Sequence, residues 1–174
     1  MKTLTINRPE ATEYAPYYGR YISLVPDGDI LESLEQQANE TLRLLGGISE
    51  SGADARYALE KWSIKEVVGH ITDTERIFAY RLLRIARADE TPLPGFEQDD
   101  YVRYGSFAAC HLSDLAREFE LVRQGNLLLM RHLDEEAWQR RGTASNAEVS
   151  VRALAYIIAG HELHHVGILK TRYL

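Results

Sequence analysis

Ser150-Val151-Arg152-Ala153-Leu154-Ala155-Tyr156-Ile157-Ile158-Ala159-Gly160-His161-Glu162-Leu163-His164-His165-Val166-Gly167-Ile168 closes the chain and governs how the rest is read. The spacing predicts a helix that starts near Ser150 and runs almost to the end. At roughly 100° per residue, Leu154, Ile158, His161, His165 and Ile168 fall within about 40° of one line. The two imidazoles therefore stand at the centre of the apolar stripe. An unpartnered buried polar group costs on the order of 1–3 kcal/mol, so something inside the fold must satisfy them. Two histidines at i and i+4 can take adjacent positions on one metal ion. Core histidines hydrogen-bonded to neighbours are the competing reading.

Three further helices precede this one. Asp29 is a suitable N-cap for a run marked by Leu31, Leu34, Ala38, Leu42 and Leu45, which Gly46-Gly47 ends. Ser63-Ile64-Lys65-Glu66 is a capping box, with Trp62 and Val67 spaced as a hydrophobic staple. Its helix carries Ile64, Val68, Ile71, Phe78, Leu82 and Ile85 on one face up to about Ala88, before Thr91-Pro92-Leu93-Pro94-Gly95 breaks the chain. A polar loop is predicted from Phe96 to about Ser106. The third long helix spans about His111 to Leu133, with Leu112, Leu115, Phe119, Val122, Leu129 and Leu133 inward. Asp134 to Trp138 reads as a short capped turn and Gly142 to Glu148 as loop. Strand signals are weak, and four long helices joined by loops are most simply an all-α, antiparallel four-helix bundle. Residues 1–26, with tyrosines between Pro16 and Pro26, read as an extended N-terminal arm packed on a single domain at 27–174.

Composition bounds the class. The 174 residues include 20 Lys+Arg against 26 Asp+Glu, a formal charge of −6. That balance argues against nucleic acid or an anionic membrane as partner, because both demand clustered cations. One cysteine, Cys110, excludes an internal disulfide and fits a cytoplasmic location. No run reaches the roughly 20 apolar residues of a membrane span, and the N-terminus lacks a signal-peptide pattern.

Position sorts the six histidines. His70 stands at the edge of its helix's apolar arc, from where it can join His161 and His165 as a third imidazole and leave positions open for water or substrate. His164, about 80° off the centre line, reads as a rim residue. His111 and His132 read as surface or boundary residues. The segment His161-Glu162-Leu163-His164-His165 also satisfies H-E-x-x-H, the zinc-protease helix pattern. The extended form of that motif needs Gly at 168 and His at 171, where Ile168 and Thr171 stand, and no acidic ligand follows. The protease reading is thus a minor alternative. By helical position, Glu162, Glu66 and Asp73 are the candidate proton acceptors. Arg81 and Arg123 either steer an anionic substrate or pair at the surface. Tyr101 and Tyr104 lie in a loop able to cover a pocket.

Trp62-Ser63-Ile64-Lys65-Glu66-Val67-Val68-Gly69-His70 and Ala159-Gly160-His161-Glu162-Leu163-His164-His165 resemble signatures of the DinB-like superfamily. Asp73-Thr74-Glu75-Arg76, Leu93-Pro94-Gly95-Phe96 and Val122-Arg123 resemble one branch of it, so the likeness runs from about Asp27 to the end. The resemblance implies a four-helix bundle, often a homodimer, with a divalent metal on His70, His161 and His165. Zinc comes first, with Ni, Fe, Mn or Co admitted by the same donors. Some relatives are transferases using a low-molecular-weight thiol (bacillithiol, mycothiol or glutathione). Others are isomerases using such thiols, or are described as metal-dependent hydrolases. A metal-dependent enzyme acting on a small-molecule substrate is therefore expected, with a non-catalytic metal or small-molecule binding module of the stress response as the alternative.

Overall fold

The computed structural model of the protein describes residues 6–174, so the first five residues of the predicted arm lie outside it. Residues 6–10 have no regular structure, but the arm then departs from an extended course. It makes 3₁₀ turns at Ala11–Glu13 and Pro16–Tyr18 and a short helix α1 at Gly19–Ile22. Pro16 opens its turn, where a preset φ helps and the missing N–H is not needed. Proline here starts a helical turn. Glu13 accepts hydrogen bonds from Ser150 Oγ at 2.6 Å and Arg152 Nε at 2.7 Å, which tie the arm to the last long helix.

Four long helices follow. α2 spans Ile30–Gly46, with Asp29 accepting from the N–H groups of Leu31 and Glu32. α3 spans Ile64–Ala86, and the Ser63–Glu66 capping box is formed in both directions. The predicted loop after Phe96 contains a short helix, α4, at Gln98–Tyr104, and a 3₁₀ turn at Phe107–Ala109. α5 spans Leu112–Arg131, and α6 is the short Glu135–Gln139 turn capped by Asp134. The second predicted loop is a β-hairpin, β1 Arg141–Ala144 with β2 Ala147–Ser150, pairing Arg141 with Ser150 and Ala144 with Ala147. Ser145 and Asn146 both adopt positive φ, as the tight primed turns of hairpins require. α7 spans Val151–Ile168, capped by Ser150, and continues as a π-helical turn at Leu169–Tyr173. No helix among the described residues is long and apolar enough to cross a membrane.

α3 packs on α7 and α5, and α2 packs on α5 and α7. The consecutive pairs α2/α3 and α5/α7 therefore stand across the bundle from each other. The apolar core is in two clusters along its length. One gathers Ile30, Leu34, Phe78, Leu82, Leu127, Met130 and the first half of α7; the other gathers Ala38, Leu45, Val67, Val68, Ile71, Leu115, Phe119 and Leu169. Between them every long helix contributes buried polar side chains: Gln37 and Thr41 from α2, His70, Thr74 and Glu75 from α3, Arg123 from α5, His161 and Glu162 from α7. This polar layer also corrects the inward face of α5. Val122 and Leu129 are only half-buried, while Arg123, Leu127 and Met130 point inward.

Candidate metal centre

The histidine side of the layer is built from two helices. α3 presents His70 one turn before Thr74, and α7 presents His161 and His165 one turn apart. His70 Nε2 lies 3.0 Å from His161 Nε2. Ring centroids are 4.5 Å apart for His161 and His165 and 4.7 Å for His70 and His165. One ligand nitrogen from each of the three lies within 4.8 Å of the others. On the far side of His70, Thr74 Oγ1 is 3.4 Å from Nδ1, which leaves Nε2 directed at the centre. His70 and His161 are 2% and 5% exposed, and His165 is less covered.

Aromatic rings close the centre in. Trp62 lies 4.7 Å from His70 and stacks at 6.4 Å on His165, while Tyr21 of the arm meets His161 edge-on at 5.5 Å. Tyr21 arrives there because its backbone crosses α7 at Gly160. A Cβ at that position would sit 2.1 Å from the Tyr21 carbonyl oxygen, so only glycine admits the approach.

Burial sets the protonation state. Desolvation, aided by nearby imidazoles, pushes His70 down to about 4 and His165 to about 3, and holds His161 well below its ordinary 6.5. All three are neutral at physiological pH, which is the form that binds metal. Three converging neutral imidazoles fit a divalent first-row ion, with a coordination side left for water or substrate.

A cavity of about 710 Å³ adjoins His70 and His161, and a second of about 350 Å³ reaches His165 beside Trp62 and Tyr173. Asp99, in the first turn of α4, lines both.

The candidate residues can now be placed. The structure brings His70, His161 and His165 together. It does not bring Glu162 to them. Glu162 faces the other side of α7, where it accepts from Thr41 Oγ1 at 2.7 Å and Arg123 Nη2 at 2.8 Å, and burial raises its pKa. Glu66 is held by its own N-cap and by Arg56 at 2.7 Å, and Asp73 pairs with Arg76 at 3.4 Å. Neither lines the two cavities. Arg81 and Arg123 are both buried, which overturns surface pairing for either. Arg81 donates to the Pro94 carbonyl and Ser145 Oγ, and Arg123 holds Glu75 and Glu162. Tyr101 lines the larger cavity; Tyr104 does not, and is 74% exposed. His164 sits at the rim against Tyr21, while His111 and His132 are exposed at the two ends of α5.

Thr74, Tyr21 and Asp99 join the site without having been among the candidates drawn from spacing. Thr74 was visible as the i+4 neighbour of His70. Tyr21 gave no local signal, because tertiary docking alone brings it to His161. Asp99 was hidden in what read as a polar loop.

Fold and site together define a four-helix bundle with a buried three-histidine centre. A family model described as the DinB superfamily matches residues 33–169, and the chain belongs to that superfamily. A protein of Oceanobacillus iheyensis named "Putative metal-dependent hydrolase" is 26% identical over 147 residues, covering 82% of this chain and 84% of that protein. YfiT from Bacillus subtilis, titled a probable metal-dependent hydrolase with an unusual four-helix bundle topology, superposes with TM-score 0.69 at 14% identity, over 94% of this chain and 90% of that one. A mycothiol-dependent maleylpyruvate isomerase superposes with TM-score 0.68 at 14% identity, over 83% of this chain and 61% of that longer one. At such identities the two structures share the fold.

Proposed function

We propose that the protein is a metal-dependent enzyme of hydrolase type acting on a small molecule, with His70, His161 and His165 holding one divalent ion. The observation that carries this reading is the convergence of three neutral imidazoles beside a cavity of about 710 Å³. An ion held there keeps its positive charge, so it supplies a Lewis acid and an activated water or thiol at neutral pH. The chain's own groups do the rest. Thr74 fixes the ring of His70 through Nδ1, the kind of outer contact that orients a ligand. Trp62 and Tyr21 shield the imidazoles from bulk water. Asp99 borders both cavities and makes no ion pair among the described residues, so in this reading it accepts the proton released by the nucleophile.

Protein purified without an affinity tag and analysed for metals should carry about one divalent ion per chain. His161→Ala and His165→Ala should each lose most of it, and unchanged content in both variants would sink the assignment. Turnover of wild type on an ester and amide panel, absent in His70→Ala, supports hydrolysis. Turnover only with an added low-molecular-weight thiol moves the reading to transfer, for which the thiol-dependent isomerase of like fold is the support. Metal binding with no turnover in either assay leaves a binding module.

A further inference from the structure

Arg81 is a buried charge without a counter-ion. It is 3% exposed, and Nη2 donates to the Pro94 carbonyl at 2.7 Å and to Ser145 Oγ at 2.9 Å. Its guanidinium carbon lies 5.4 Å from the centre of the Phe78 ring and 5.8 Å from that of Phe96. Among the described residues no carboxylate pairs with it, and Met1 to Thr5 carry no acidic side chain. Arg123, equally buried, holds two carboxylates. Two neutral acceptors and two ring faces do not neutralise a guanidinium, and burial pulls the Arg81 pKa below its ordinary value. A buried charge of this kind is costly until an opposite charge reaches it.

The groups that hold Arg81 belong to the wall of the larger cavity. Phe78, Phe96 and Ser145 line it together with His70 and His161. His70, Thr74, Phe78 and Arg81 follow one another along α3 at three- and four-residue steps, and the helix rises about 16 Å from the first to the last. The cavity thus runs along α3 from the imidazoles towards Arg81, and Ser145 stands at the Arg81 end. Ser145 is pinned in the turn of the hairpin, its N–H donating to the Leu93 carbonyl at 3.0 Å. Its hydroxyl accepts from Arg81 and makes no other hydrogen bond among the described residues, so its proton is free for a ligand. A hydroxyl polarised by a guanidinium is a strong donor to an anionic oxygen. Glu97, Asp99 and Asp100 border the same cavity, but all three are exposed, where water and salt screen them. Buried Arg81 is screened far less. One unpaired guanidinium matches one negative charge, which favours a carboxylate over a dianionic phosphate beside those acids.

We propose that Ser145 and Arg81 form an anion-recognising subsite of the larger cavity, which takes the carboxylate of a small molecule whose other end meets the metal. The Ser145 hydroxyl touches the carboxylate. Arg81 is a positioning residue that acts through Ser145 and through its charge. This rests on the metal reading above and adds the substrate class to it.

Hydroxamates test this without knowledge of the reaction, because one end binds the metal and the other end is free to vary. Zinc-loaded full-length protein is titrated calorimetrically with succinic, adipic and suberic monohydroxamates and with the terminal carboxamide of each, which keeps the shape without the charge. For at least one of the two longer chains the carboxylate should bind about tenfold tighter than its carboxamide. The succinic pair, too short to reach Ser145 from the histidines, should differ by less than about twofold. Ser145→Gly, which the left-handed φ of 52° suits, should cut the preference several-fold and leave carboxamide affinity in place. Arg81→Met should abolish the preference, and Arg81→Lys, which keeps the charge, should retain part of it. Should Arg81→Met fail to fold, Ser145→Gly decides: a lost preference supports the subsite and a full one overturns it. Equal binding of carboxylate and carboxamide at every length, or one preference shared by all three lengths, overturns the inference and leaves the metal centre standing. Failure of the protein to take up zinc overturns the metal reading and this inference with it.

Discussion

On one side of α7, Arg123 spreads its guanidinium over Glu75 through two contacts of 2.8 Å, over Glu162 at 2.8 Å and over the Leu34 carbonyl at 2.8 Å. Thr41 and Asn126 fill the remaining carboxylate positions at 2.7 Å and 3.1 Å. On the other side of the same helix, three imidazoles converge with their inward nitrogens facing one another. Both groups lie between the same two apolar clusters. The first is a closed account of donors and acceptors, with burial pulling the Arg123 pKa down and its two carboxylates outweighing that. The second has lone pairs in excess and rings that burial keeps neutral. A fully satisfied group contributes to folding and has nothing to offer a ligand; an incompletely satisfied one is where a ligand belongs. Adjacent residues, His161 and Glu162, thus serve opposite ends.

The comparison is broken hardest at Arg123. Arg123→Met strands two buried carboxylates and should cost about 3–5 kcal/mol in urea unfolding. Replacing Arg123, Glu75 and Glu162 together by methionine should recover most of that, since no buried charge is left alone. A loss under about 1 kcal/mol in the single variant would show that the group is not closed as described.

The second effect comes from the histidine side and depends on pH. Folded His70 and His165 take protons near pH 4 and 3, whereas the unfolded chain takes them near 6.5. Between those values the unfolded state binds more protons, so stability rises with pH and is lost as pH falls from 6.5 towards 4. Metal-free wild type should lose up to about 1.4 kcal/mol per pH unit for each imidazole so treated. His165→Gln should flatten the slope. A wild-type stability unchanged from pH 7 to 5 would contradict the burial of neutral rings.

Smaller still is Glu162→Gln, which keeps a hydrogen-bonding shape for Thr41 while removing one charge from Arg123. It should cost about 1–3 kcal/mol and leave metal content unchanged; loss of metal with full stability would put Glu162 on the histidine side after all. Gln37 belongs to neither group. Both polar atoms of its buried amide lack a hydrogen-bond partner, so Gln37→Met should be neutral or stabilise by up to about 1 kcal/mol in thermal unfolding.

What the sequence made legible was local or periodic. The Ser63–Glu66 box and the caps Asp29 and Asp134 follow from spacings of a few residues, and the structure forms all three. The i, i+4 pair His161 and His165 and the arc position of His70 needed only the helical period. Arg123 was misread because its partners Glu75 and Glu162 lie 48 and 39 residues away, and an arginine in an amphipathic pattern ordinarily marks the solvated face. The hairpin was missed because Ser145-Asn146 lacks the Asn-Gly or Asp-Gly signature of its turn. The helical turns in the arm are not legible locally, because a proline reads equally as a breaker and as the first-turn residue that Pro16 is.

The passage of the arm over Gly160 divides the surroundings of the centre between two parts of the chain. The three histidines all fall within the family-matched residues 33–169, whereas Tyr17, Tyr18 and Tyr21, three of the rings that wall the cavity, come from the arm before them. The histidine centre and part of its cavity wall are therefore carried by different segments, joined at a glycine contact and the Glu13 anchor. Loss of the arm would take three rings from the cavity wall and leave all three histidines on their helices.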